Sequence, residues 1–372
     1  MDKIHIYTQG CTANQSDSEV IAGLLKEASY ELCDLKSADL VIFNTCSLKS
    51  PTEQSLFRKI QDISKTKKII IAGCFPLSFP DDTRLKNYSL LGSFDLKKVV
   101  QAVEQTLKGE RVVLLSRKAE DKLCLPKIRD NQKIAKVIIS KGCLSNCAFC
   151  AGKKARGKLA SYNIKNIVAE VNQAVADSCN RIYLTCQDTG CYGMDSGTNL
   201  IKLVNQVVAV EGNFKVRIGM MSPQWALKLL PELVEIYKHE KVLKFLHIPV
   251  QSGSNKILKL MNRQYTITEF KQVVETFRKE VSGAEIATDI IVGFPDETDT
   301  DFQKTIELLK WLKPAVLNTT KYWPRKGTTA GDKYFQAISN PNSSQSKDIS
   351  KTKQERAIII HNLFEKIKKN KV

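Results

Sequence analysis

The chain has 372 residues, 42% of them hydrophobic, which suffices for a substantial core and about two to three domains. No stretch reaches the roughly 18 consecutive apolar residues of a membrane span, and the opening MDKIHIYTQG reads as a strand without the apolar centre of a signal peptide, so a cytoplasmic protein with no membrane partner is expected. Lys and Arg number 57 against 39 Asp and Glu, and this +18 excess suits a polyanionic partner such as nucleic acid, or equally a well-solvated surface.

In chain order, KIHIYTQ predicts a strand, a helix follows from about Asp17, DLVIFNT predicts a second strand, a helix starts near Pro51, and KIIIAG predicts a third strand. That alternation is the pattern of an open parallel α/β sheet. A helix from Leu96 to Leu107 and the strand RVVLL close this unit, residues 1–118, and the mixed, charged stretch from Ser116 to Asp130 reads as a linker. Six strand candidates follow: AKVIIS, RIYLTC, FKVRIG, LKFLHIPV, EIATDIIVGF and PAVLNTTKY. Alternating with helical stretches, they predict a partial, six-unit βα barrel over residues 125–345, short of the eight units of a closed one. After a polar stretch from Asn340 to Ser350, apolar residues recur at helical spacing among lysines, which predicts a basic C-terminal helix over residues 346–372. The expected fold class is therefore α/β, a sheet domain followed by a partial barrel.

Cytosolic thiols stay reduced, so eleven cysteines point to metal or chemistry before disulfides. Cys143, Cys147 and Cys150 form CxxxCxxC directly after the first barrel strand. Three thiolates so crowded need a multivalent cation. A tetrahedral zinc site wants a fourth ligand and no histidine lies near, whereas a four-iron cluster accepts three thiolates and leaves one iron open to a non-protein ligand. Cys11, Cys46 and Cys74 each follow the carboxyl end of a predicted strand, and in an open parallel sheet those ends line one edge. Singly, each reads as a small buried hydrophobe; together they read as a second cluster site. Cys33, Cys124, Cys179 and Phe149 read as packing, and Cys186 and Cys191, flanking QDTG, as a minor redox or sulfur-handling alternative.

Together with LTCQDTGCYG, LHIPVQSGSNKILKLMNR and TDIIVGFPDETDTDF, the two trios resemble, in order and content, the methylthiotransferase family of radical S-adenosylmethionine (SAM) enzymes. QDTG followed by YG and GTNL is similar to the archaeal and eukaryotic branch that acts on threonylcarbamoyladenosine beside the anticodon of tRNA. Sibling branches modify isopentenyladenosine in tRNA or an aspartate of a ribosomal protein. An iron–sulfur RNA-binding protein without turnover is the alternative from another class. The resemblance implies two [4Fe-4S] clusters and SAM, with Cys143, Cys147 and Cys150 holding the SAM-cleaving cluster and Cys11, Cys46 and Cys74 an auxiliary cluster for sulfur delivery. One SAM would methylate the sulfur and another supply the radical that activates carbon 2 of adenine. An electron donor, a sulfur source and tRNA are the implied partners, and a monomer is expected.

Gln187, Asp188 and Gln251 are the candidate catalytic residues, and Gln187, Arg217, Ser222 and Gln251 the candidate SAM contacts, because barrel active sites are built at strand ends. The plainer readings are a salt-bridged or surface Arg217 and a helix cap at Gln251. Lys153, Lys154, Arg156 and Lys158 in GKKARGK are expected either to meet tRNA phosphates or to form a solvated basic loop. Three departures from the family stand out. The small RNA-binding β-barrel module at the carboxyl end of typical members is expected to be absent, and RNA is then expected to rest on the +18 body, the basic helix or a partner. The second glycine of GFPGE is Asp296, and SPRPGTPA reads WPRKGTTA from Trp323 to Ala330, changes that point to altered substrate recognition.

Overall fold

The computed structural model describes residues 2–46, 50–118, 121–338 and 345–369. Strands β1 (Lys3–Thr8), β2 (Glu31–Leu32), β3 (Leu40–Thr45), β4 (Lys68–Gly73), β5 (Ser89–Gly92) and β6 (Val113–Leu114) form one parallel sheet in the order β2-β1-β3-β4-β5-β6. Every residue of β3 is buried, because helices cover both faces of a parallel sheet. The period of two sends Leu40 and Ile42 towards α1 (Thr12–Glu27) and a helix at Val99–Leu107, and Val41 and Phe43 towards a helix at Ser50–Ile63.

The second region carries six main strands: β7 (Ile134–Ile138), β8 (Arg181–Thr185), β9 (Lys215–Ile218), β10 (Phe245–His247), β11 (Glu285–Val292) and β12 (Val316–Lys321). Parallel pairing joins β7, β8 and β9 into one half and β10, β11 and β12 into the other, and the parallel bridge Val216–Val242 lies at the seam. This is the six-unit partial barrel that the strand count anticipated. A long helix at Gln345–Lys369 packs across β11 and β12 through Ile360, and Arg356 on it pairs with Glu297.

Helix α1 belongs to both regions. It starts at Thr12, five residues before the sequence pattern suggested, and its buried residues include Asn14, Ser16, Asp17 and Glu19. A polar face hides the helix from a hydrophobicity argument, yet each of these side chains has a use. Ser16 Oγ donates to the Lys136 carbonyl on β7 at 2.9 Å, Glu19 pairs with Lys136 at 2.7 Å, and Asp17 pairs with Lys122. The stretch expected as a linker runs along this helix. The carbonyl of Pro126 would lie 2.2 Å from a β-carbon at Gly23, so only glycine allows that approach.

Asp296 adopts φ +64°, the left-handed region, so an aspartate sits where the family's glycine would be relaxed. Asp296→Gly is expected to stabilise the protein by about 1 kcal/mol in chemical denaturation. Lys353, on the C-terminal helix, lies over the rings of Tyr322 and Tyr334 at 5.4 and 5.0 Å, and burial brings its ammonium down to about 8. The unfolded chain binds this proton more tightly than the folded one, so the penalty is full below pH 8 and disappears as pH rises to 10.5. Relative to Lys353→Met, the wild type should therefore gain stability between those pH values, by at most about 3 kcal/mol; equal pH slopes in thermal melts would contradict this.

Candidate active site

Strand β7 feeds the segment 142–159, whose neck is closed by antiparallel pairing of Ser140 with Ser161 and Lys141 with Ala160. Gly142 has φ +69°, and a β-carbon there would lie 2.0 Å from the Lys158 carbonyl. Within the loop, the Ser145 N–H donates to Cys143 Sγ at 3.3 Å, and Arg263 Nη1 donates to Cys147 Sγ at 3.1 Å. The Ala148 N–H reaches the Met261 carbonyl at 2.9 Å, and the Ala148 carbonyl accepts from Ala330. Phe149 meets Phe294 edge-on at 6.4 Å, the packing role expected of it.

Beyond β8, Asp188 is buried and its Oδ1 accepts from the Gly190 and Ser222 N–H groups at 3.2 and 3.1 Å. Its Oδ2 lies 4.0 Å from Cys143 Sγ. Burial, followed by the charge of Cys143, raises the Asp188 carboxyl to about 7. A hydrogen bond from Cys191 outweighs burial at Cys143 and lowers that thiol to about 6. The sulfurs of Cys143 and Cys191 and a carboxylate oxygen of Asp188 lie within 4.8 Å of one another. Gln187 Oε1 is buried and has no hydrogen-bond partner. Ser222 reaches this group through its backbone. Arg217 is elsewhere, stacked between the rings of Tyr183 and Phe245 at 5.2 and 4.7 Å.

The second trio lies where β1, β3 and β4 end. Cys11 caps α1, Cys46 follows β3, and Cys74 opens the short helix Cys74–Ser78. The thiols of Cys11 and Cys74 each lie 3.6 Å from Asn14 Oδ1. Asn14 is itself fixed by donating to Asn44 Oδ1 at 3.2 Å and to the Thr45 carbonyl at 3.0 Å. A cavity of about 600 Å³ is lined by Cys11 and Cys46 from this side, and by Cys150, Gln251 and Tyr322 from the barrel. Gln251 holds φ +69° there, accepts from the Ile291 N–H and leaves the capping of the next helix to Ser254.

The basic loop departs from expectation. Arg156 does not face solvent for a phosphate: it is 3% exposed, and its Nε donates to Cys74 Sγ at 3.3 Å while Nη2 bonds Asp17 at 2.9 Å and Asn14 at 3.2 Å. Its short helix, Gly152–Arg156, packs against the helix carrying Cys74, which turns this side chain inward. Lys153 bonds the Ser145 carbonyl and Lys154 the Lys326 carbonyl, both at 3.1 Å, and Lys158 alone of the four is exposed.

The thiols fit metal clusters on the chemistry of their surroundings. Each trio has a guanidinium donating to one of its sulfurs, the half-buried Arg263 for the barrel and the buried Arg156 for the sheet, as anionic sulfur requires.

A model described as the Radical SAM superfamily matches residues 137–309, and one described as uncharacterized protein family UPF0004 matches residues 3–89. A probable threonylcarbamoyladenosine tRNA methylthiotransferase of Pyrococcus horikoshii is 41% identical over 335 residues, covering 89% of this chain and 79% of that protein. The chain belongs to the threonylcarbamoyladenosine tRNA methylthiotransferase family. The human threonylcarbamoyladenosine tRNA methylthiotransferase is 41% identical over 362 residues, 94% of this chain and 62% of that one. Among solved structures, a radical SAM methyltransferase of Kitasatospora setae, TsrM with cobalamin and a [4Fe-4S] cluster, matches with a TM-score of 0.66 at 12% identity over 93% of this chain and 80% of that one, a likeness of fold alone. Membership of the radical SAM methylthiotransferases brings SAM and a [4Fe-4S] cluster with it.

Sequence reasoning passed over Asn14, Arg156 as a sulfur partner, and Arg263. The available signal was the need for a cation beside each thiolate trio, with arginines in KKARGK and LMNR.

Gly142 and Gly157 both hold left-handed φ, yet a β-carbon at Gly157 would meet nothing within 4 Å. In this methylthiotransferase Gly142→Ala should cost about 2–4 kcal/mol, and Gly157→Ala about 1 kcal/mol. Urea denaturation of both variants checks this, and equal losses would show that the neck of the cysteine loop is not closely packed.

Proposed function

We propose that this enzyme converts threonylcarbamoyladenosine beside the anticodon of tRNA to its 2-methylthio derivative, using two [4Fe-4S] clusters. The observation that carries the reading is one cavity lined by Cys11 and Cys46 of the sheet trio and by Cys150 of the barrel trio, so that each trio contributes to the same chamber. Cys143, Cys147 and Cys150 hold the cluster that anchors SAM, and Cys11, Cys46 and Cys74 hold the auxiliary one. When bound, these groups supply reductive cleavage of the SAM sulfonium and the sulfur that enters at carbon 2 of adenine.

The protein's own residues bind and orient. Gln187 offers its unpartnered Oε1 to a donor on SAM, and Asp188 ties the turns after β8 and β9 together through the Gly190 and Ser222 amides. Gln251 meets substrate from a strained backbone, the state expected of a residue held for function. Lys158 and the exposed lysines of the C-terminal helix meet tRNA phosphates, which give affinity and salt dependence without sequence reading. No described helix is long and apolar enough to cross a membrane, which fits a cytoplasmic enzyme served by a soluble electron donor and sulfur source.

The test combines metal analysis with substrate choice. After anaerobic reconstitution, iron, acid-labile sulfide and Mössbauer spectra should give two cubane clusters in the wild type and one in a Cys143→Ala, Cys147→Ala, Cys150→Ala variant. The variant should form no deoxyadenosine from SAM. Zinc, or no metal, in the wild type would overturn the radical reading. Equal product on tRNA from cells with and without threonylcarbamoylation would overturn the substrate.

A further inference from the structure

We infer that Arg156 sets the reduction potential of the auxiliary cluster, acting as a positioning residue that links this cluster to the loop holding the SAM-cleaving one. The inference rests on the two-cluster reading given above and goes beyond it. Arg156 stands six positions after Cys150, at the end of the short helix that the cysteine loop runs into, so its place in sequence belongs to the barrel trio. Its guanidinium, however, is spent on the sheet trio: Nε on Cys74 Sγ at 3.3 Å, and Nη2 on Asn14 Oδ1, the same oxygen that both Cys11 and Cys74 approach at 3.6 Å. A displacement of the barrel loop thus moves a hydrogen bond and a full charge at the other site.

Three thiolates bring three negative charges to a site where Arg156 is 3% exposed and Cys74 is 7% exposed, while Cys46 is half-buried and Cys11 is exposed. Reduction adds another electron. On the buried Cys74 side a fixed cation and an N–H donated to a ligating sulfur stabilise the reduced state and raise the potential. Asp17 is fully buried beside the same guanidinium at 2.9 Å and is shared with Lys122, so it pulls in the opposite direction. The pair therefore makes a signed statement. Removing Arg156 lowers the potential and removing Asp17 raises it, whereas a purely structural salt bridge would disturb the cluster in the same way from either end.

The experiment uses the full chain carrying Cys143→Ala, Cys147→Ala and Cys150→Ala, which leaves the auxiliary site alone, and reads its midpoint potential by redox titration followed by paramagnetic resonance. Arg156→Gln in that background should shift the one-electron equilibrium towards the oxidised state about tenfold, or about 59 mV. Asp17→Asn should shift it the other way. Arg156→Lys, which keeps the charge and guards against a variant that fails to fold, should fall between wild type and Arg156→Gln. Unchanged potentials, or shifts of one sign in Arg156→Gln and Asp17→Asn, would overturn the inference while leaving the cluster in place. Absence of any cluster from the triple background would instead overturn the two-cluster reading, and the inference with it.

Discussion

Sulfur anions in a low-dielectric interior need compensating charge, and the arrangement of this molecule follows from how that charge is delivered. An isolated buried ion carries a desolvation penalty that only close, well-directed partners offset. Arginine suits the role because its guanidinium stays protonated and presents several N–H groups in one plane, so a single residue can address a sulfur, a carboxylate and an amide oxygen at once. Arg156 does this with Cys74, Asp17 and Asn14. Arg263 does the same for Cys147 while bonding the Pro249 carbonyl and the Tyr265 hydroxyl.

That requirement shapes the contact between sheet and barrel. Helix α1 is buried against both, and a helix sandwiched in this way would ordinarily be apolar all round. Its polar side chains are retained because they complete ion pairs with Lys122 of the connecting segment and with Lys136 and Arg156 of the barrel. The strand ends of the sheet and the cysteine loop of the barrel are thereby held facing one cavity. The interface is polar and specific in register, since a one-turn slip of α1 would leave Asp17 and Glu19 buried without partners.

Much of this was legible in the sequence. Apolar runs identified β1, β3, β4 and β6 of the sheet and the six barrel strands but missed the short β2 and β5, and the cysteines after β1, β3, β4 and β7 fell at strand ends as a parallel sheet demands. The beginning of α1 was missed because its inward face is polar, and hydrophobic periodicity cannot distinguish such a face from a solvated one. Arg156 was misread for a related reason: a run of basic residues shows charge but not direction, and only the packing of its short helix beside Cys74 turns one of the four inward. At Asp296 the departure from glycine was visible, but its meaning depends on a positive φ that no pattern reveals.

The two-residue clasp of Ser140–Lys141 with Ala160–Ser161 closes the segment that carries Cys143, Cys147 and Cys150. Together with the backbone bonds from Ala148 to Met261 and Ala330, it fixes the loop by contacts that involve no metal. In zinc fingers the ion organises an unfolded chain, and ordering each residue consumes about 1–2 kcal/mol of the binding free energy. Here backbone contacts carry part of that ordering, so the three cysteines share one mechanical support, and loosening the clasp would displace all of them together with none of the three touched.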